Sequence, residues 1–223
     1  MADEPDGWIT RDGKRIPIFK KRGNAGAVVL AGVVALGAVS GGAGISTIGE
    51  VTGSTASGQS VSVRKSEGRR DAKRGDTDSA WRRFKMRERR RSPKQQAECV
   101  LSSFGEVREY FLQHRCTSME KILLAVEDDS GNMAVISVVW TGFSRSRDAG
   151  SFKTLMDKHG TGDIAPLGGT VLDMADIHFE GHNYGSDRNG NIITTAEAET
   201  ATGYLDPEVL DALAEVAAYL PKP

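Results

Sequence analysis

His178, Glu180 and His182 stand at alternate positions in the segment DIHFEGHNYG. Two imidazoles and a carboxylate make a donor set suited to Zn²⁺ or another transition metal. On a β-strand the three would share one face, with Ile177 and Phe179 opposite and Asp173 and Asp176 just before them. Alternate strand residues sit about 6.6–7 Å apart, so the three tips would have to converge on one ion. A polar, solvent-facing sheet surface produces the same pattern without an ion and is its commoner origin. Cys99 and Cys116, the chain's two thiols, form the second candidate pair. One unbroken helix through both would hold their Cα atoms well beyond the about 7 Å a disulfide can span. A helix that starts at Ser103 lets the Cys99 segment fold back along it, and a bridge is then the expected state; two buried free thiols are the alternative. His159-Gly160-Thr161-Gly162-Asp163 has the glycines of a phosphate loop but neither its lysine nor its strand–loop–helix setting, so it reads as a helix stop. The chain has no G-x-S-x-G elbow, and the sequence names no catalytic residue and no cofactor.

Charge supplies a third candidate surface. The 223 residues carry a formal net charge of −1, but the charge is segregated. Residues 64–94 hold fourteen basic and five acidic side chains, whereas residues 95–223 hold nine basic and twenty acidic. Arg82, Arg83, Lys85, Arg87, Arg89, Arg90 and Arg91, interleaved with Trp81 and Phe84, could contact anionic lipid or another polyanion. Nucleic acid is the less favoured partner, since the segment would meet it only on the cytoplasmic side. Association of the basic run with the acidic C-terminal part needs no partner at all.

Between Arg22 and Glu50 no residue is charged. Residues 24–48 are long enough to cross a bilayer as a helix, which takes about 20 apolar residues. Seven glycines lie between residues 26 and 49, each costing about 1 kcal/mol in a water-soluble helix. They are better tolerated in a membrane. An uncleaved single-pass anchor is therefore expected, with cleavage near Gly41 as its competitor. Ala27, Ala31, Ala35 and the step Gly37-x-x-x-Gly41 could bring two such helices together as a homodimer. Arg11, Lys14, Arg15, Lys20, Lys21 and Arg22 precede the span closely, which predicts a cytoplasmic N-terminus and an extracytoplasmic C-terminal part. Residues 1–23 read as a small hairpin about Asp12-Gly13, an interfacial segment or a tail. Residues 49–94 read as a flexible basic linker, with a helix from Trp81 to Arg91 as one option inside it.

Residues 95–223 hold nearly all the aromatic and branched side chains outside the span and suffice for one core. A capping box at Ser103-Phe104-Gly105-Glu106 predicts a helix over the following VREYFLQH. Strands are expected at 120–127 and 132–143 about Asp128–Asn132. Next come a helix with Phe152, Leu155 and Met156 inward and a second hairpin about Asn189-Gly190. Asp206 and Pro207 open a last helix with Leu210, Leu213, Val216, Ala217 and Leu220 buried. The predicted fold is α+β: order α-ββα-ββα, an antiparallel four-stranded sheet with helices on one face and the other face free for a ligand.

The stretches CVLSSFGEVREYF, DKHGTGDIAPLGG and TAEAETATG resemble membrane-anchored actinomycete proteins of unassigned function. The resemblance covers the C-terminal half and implies an anchor but no activity. Together these readings predict a single-pass membrane protein presenting an extracytoplasmic binding or sensing domain. The alternatives are a metal-dependent enzyme on the His178/Glu180/His182 face and a cytoplasmic nucleic-acid binder using residues 64–94.

Overall fold

Two long strands, β5 (Cys116–Asp128) and β6 (Met133–Phe143), form the centre of the computed structural model, which describes residues 7–11, 14–18, 59–174 and 177–223. Their hairpin closes where expected. Asp128 Oδ1 accepts the backbone N–H groups of Ser130 and Asn132, both at 2.9 Å, and Gly131 takes φ +84°. From Met119 to Val126 and from Ala134 to Phe143 every side chain is buried, on both faces of the sheet.

The other strands extend this pair antiparallel on either side. β3 (Met86–Arg91) and β4 (Gln95–Gln96) pair with successive parts of β5. The interruption between them falls at Pro93, which has no N–H to donate. The Ser92 hydroxyl fills the gap by accepting Leu123 N at 2.9 Å. On the far side, β8 (Ile192–Thr202) pairs with β6, and β7 (Tyr184–Asn189) forms the edge. Across the sheet the order is β3-β5-β6-β8-β7, with β4 in line beside β5.

Layers of structure cover both faces. Ile122, Leu124, Val126, Ala134, Ile136, Val138 and Trp140 pack with α1 (Val61–Lys73), α2 (Thr77–Arg82) and α5 (Pro207–Ala217). Trp81 is fully buried there, and Leu210, Leu213 and Val216 form the stripe expected of α5. Asp206 caps α5, its Oδ1 accepting Glu208 N at 2.8 Å. The opposite face packs against α3 (Gly105–Gln113) and α4 (Ser146–Met156) through Phe111, Phe143 and Phe152, with ring centroids 4.9–6.2 Å apart. A smaller cluster of Leu123, Ala125 and Val135 is covered by a 3₁₀ turn, Gly169–Leu172.

The order α-ββα-ββα is present from α3 to α5, and the C-terminal part is α+β with an antiparallel sheet. Five expectations are corrected. The sheet has six strands instead of four, and its helices lie on two faces, so no face stays open. Residues 61–91 of the expected linker form α1, α2 and β3, because Ala72, Ala80, Trp81, Phe84 and Met86 bury themselves in the core. The helix considered from Trp81 to Arg91 gives way to α2 and β3, joined at Lys85 with φ +59°. Ser103 does not cap α3. Its hydroxyl turns back to donate toward Cys99 O at 2.8 Å, and Thr161 O accepts Glu106 N at 2.7 Å in the first turn.

The chain divides into Met1–Gly53 and Ser54–Pro223, each described by itself. In the first, β1 (Gly7–Arg11) and β2 (Lys14–Ile18) pair antiparallel, as the hairpin reading expected. The expected membrane span at 24–48, its dimerising small-residue step and the first part of the linker lie outside the described residues. Among the described residues no helix is long and apolar enough to cross a membrane.

Trp81→Ala should cost about 3–5 kcal/mol, read as a lower urea midpoint, because a fully buried indole leaves a cavity. Arg82→Ala, one residue on and exposed, should stay within about 0.5 kcal/mol of the parent.

Candidate functional site

Sheet alternation places a polar centre inside the second face. Lys121 on β5, Ser137 on β6 and Glu197 on β8 share the parity of Leu123, Val135 and Ile193. Ser137 pairs directly with Glu197, and Glu197 with Tyr184 on β7. Lys121 is 4% exposed, and its Nζ donates to Ala165 O at 2.6 Å, fastening the loop after α4 to the sheet. That loop carries Asp163, whose carboxyl is hydrogen-bonded to Glu197.

The same loop runs beside the segment that leads into α3. Phe104 N donates to Asp163 O at 3.0 Å, and Ala165 N to Ser102 O at 2.8 Å. Gly105 and Gly162 both have positive φ. A Cβ on Gly105 would lie 2.8 Å from Gly162 Cα, so the two backbones approach this closely only as glycines. A Cys99–Cys116 disulfide, with Cα atoms 6.5 Å apart, ties the start of this segment to β5. The cysteine pair singled out in the sequence thus anchors one wall of the region.

Between that wall, the end of α4 and the segment before β7 lies a cavity of about 260 Å³. Phe104, Met156, Phe179 and Tyr184 give it apolar surface, and Asp157, Asp163 and Glu180 give it carboxylates, with Lys158 and His159 also in the lining. Its parts are held in place. Asp157 accepts from Lys153 Nζ and Ser186 Oγ, both at 2.6 Å, and from the Tyr184 hydroxyl at 3.4 Å. The segment with Phe179 and Glu180 is held to β8 by Glu180 N donating to Glu199 Oε1 at 3.4 Å and Asn183 Nδ2 donating to Ala198 O at 3.0 Å.

Burial decides the protonation behind the cavity. The Glu197 carboxyl is pushed up to about 9, first by burial and then by its hydrogen bond and like charge with Asp163. At neutral pH the Glu197 carboxyl therefore keeps its proton. Burial also raises the Tyr184 phenol, with Asp157 adding to it, and lowers the Lys121 ammonium to about 8 against the pull of Asp163.

The expected metal residues are placed differently. His178, Glu180 and His182 are exposed and lie in the connection before β7, so no strand aligns them on one face. The stretch lacks a ladder partner until Tyr184, because the backbone of Asn183 reaches β8 only at Ala198. His182 Nδ1 lies 3.2 Å from Glu180 Oε2. Among the described residues no three His, Cys, Asp or Glu side chains are grouped to hold a metal ion.

The basic residues proposed to meet a polyanion largely meet carboxylates of the chain itself. Arg83 pairs with Glu67 at 2.7 Å and Asp71 at 2.9 Å, Arg87 with Asp129 at 2.6 Å, and Arg91 with Glu88 at 2.7 Å. Arg89 pairs with Glu127, and Arg90 donates to Leu172 O. Arg82 donates to Ser79 Oγ at 2.9 Å, and Lys85 is exposed at its corner.

Asp157, Asp163, Tyr184 and Glu197 were missed as a group. A signal existed in Lys121 and Glu197, charged residues at core parity in otherwise apolar or small-residue strands. The His159–Asp163 loop, read as a stop, supplies four cavity residues.

Glu197 makes stability depend on pH with a definite sign. Unfolded, its carboxyl loses the proton near the ordinary glutamate value of about 4.3; folded, it keeps it to about 9. Its contribution is thus fully present in acid and is lost as pH rises from about 5 to 9. Glu197→Gln keeps a hydrogen-bonding side chain and removes the titration. Urea unfolding should find the variant more stable than the parent at pH 8 by a few kcal/mol, with the difference shrinking toward pH 4.

The chain matches no protein-family model, no curated protein and no solved structure.

Proposed function

We propose that this chain is a single-pass membrane-anchored protein that presents an extracytoplasmic ligand-binding domain, with the cavity beside Asp163 as the binding site. The observation that carries the reading is the Cys99–Cys116 disulfide. Disulfides persist in oxidising compartments and are rare in reducing ones. The uncharged stretch between Arg22 and Glu50 and the six basic residues just before it supply an anchor and an orientation with the N-terminus in the cytoplasm. The resemblance to membrane-anchored actinomycete proteins agrees with this arrangement.

Binding, as opposed to metal-dependent catalysis, is favoured by the cavity's make-up. The Asp157 carboxylate and the Tyr184 phenol are hydrogen-bonded, and the backbone carrying Phe104 is tied down, before any ligand arrives, whereas His178, Glu180 and His182 are spread along an exposed connection. A polyanion-binding role for the basic segment is disfavoured by its own ion pairs, since the arginines would have to give up carboxylates already in place.

The location is tested in intact cells carrying the chain with a C-terminal epitope. Protease added outside should remove the epitope, and a membrane-impermeant maleimide should label the thiols only after reduction. An epitope protected until lysis, with thiols reactive in the lysate without reductant, would place the domain in the cytoplasm and overturn the proposal.

A further inference from the structure

The make-up of the cavity narrows the class of ligand. At about 260 Å³ it is smaller than a typical drug-sized pocket and suits a compact molecule. Its apolar surface is largely aromatic: Phe104, Phe179 and Tyr184. Phe104 is 53% exposed, although its backbone is fixed on both sides by the paired 102–106 and 161–165 segments. A ring at the rim on a fixed backbone presents a preformed aromatic face to a ligand. The polar surface is mainly anionic, with Asp157, Asp163 and Glu180 against Lys158 and His159.

The remaining charges near the cavity sharpen this. Lys153 is spent on Asp157 and Ser186. Lys121 is bonded to Ala165 O behind the loop. Glu199 adds a further carboxylate beside Glu180, whose N–H it accepts. An anionic ligand would meet net repulsion here. A neutral apolar ligand would strip water from carboxylates without replacing their hydrogen bonds. A cation carrying alkyl surface satisfies both halves of the lining, since the negative faces of aromatic rings and the carboxylates attract the same charge.

We propose that this cavity binds a small organic ammonium ion, its charged nitrogen set between the Asp163 and Glu180 carboxylates and the rings of Phe104, Phe179 and Tyr184. The inference rests on the domain being a binding module and names its ligand class. Backbone hydrogen bonds hold the Phe104 wall against the loop that carries Asp163, and the Cys99–Cys116 bridge ties the start of that wall's segment to β5, so the two halves of the site are pre-positioned.

The test uses the purified full-length chain in detergent micelles and isothermal titration calorimetry. The probes are choline, tetramethylammonium, putrescine, and the uncharged isostere of choline in which carbon replaces the nitrogen. At least one cation should bind, and for choline the neutral isostere should be weaker by about tenfold or more. Phe104→Ala and Glu180→Gln, both at exposed positions and so safe for folding, should each weaken cation binding by about three- to tenfold. Equal binding of choline and its isostere, binding untouched by both substitutions, or no heat from any cation while near-ultraviolet circular dichroism shows a folded protein would each overturn the proposal. Because the titration uses purified protein, its failure leaves the membrane location standing, and a cytoplasmic location found in cells leaves the titration standing.

Discussion

The central hairpin of β5 and β6 is apolar on both faces, and the rest of the domain is arranged to keep both faces dry. Ile122, Leu124, Val126, Ile136, Val138 and Trp140 point one way, while Leu123, Val135, Val139 and Phe143 point the other. Each such side chain gains about 1.5–3 kcal/mol on burial, so an uncovered face would forfeit most of the domain's stability. One layer therefore cannot suffice. The cover on the first face is drawn from both ends of the described domain, α1 and α2 before the sheet and α5 after it. The second face is covered by α3, α4 and the long connection from Asp157 to Asn183.

This constraint explains what happens to the basic segment. Surface ion pairs contribute about 0–1 kcal/mol each, too little to order more than thirty residues. Burial of Trp81, Phe84, Met86 and Ala72 sets the position of α1, α2 and β3. The arginines then find carboxylates at Glu127 on the strand they border and at Asp129 in the turn after it. The opposite charges of the two parts of the chain are thus reconciled within one domain, as the sequence allowed without requiring.

Much of the domain was legible from local signals. The two hairpins follow from Asp128–Asn132 and Asn189-Gly190, and the last helix from Asp206-Pro207 and its apolar stripe. The two-sided burial was also written in the sequence. KILLAV and MAVISVVW are continuous apolar runs, where a sheet with one wet face would alternate. Placing helices on one face only leaves an open face and gives the basic segment no place. Residues 61–91 were harder, because their few apolar side chains are scattered among fourteen basic ones across 64–94, and only tertiary packing reveals which of them go inside. The cavity was the least legible feature. Phe104, Asp163, Phe179 and Tyr184 come from three connections and a strand edge, and no spacing in the chain links them. The shared strand face assumed for His178, Glu180 and His182 is absent for a related reason: alternation implies a shared face only on a strand, and His178 to His182 lie before one begins.

The claim that the basic segment is an integral cover of a two-faced sheet is tested most directly by amide hydrogen exchange of the full-length chain. Backbone N–H groups of α1, α2 and β3 should show protection within about tenfold of those in β5 and α5, because all belong to one cooperative unit. Exchange of residues 61–91 at the rate of an unstructured peptide, with β5, β6 and β8 still protected, would contradict it and return that segment to the role of a linker.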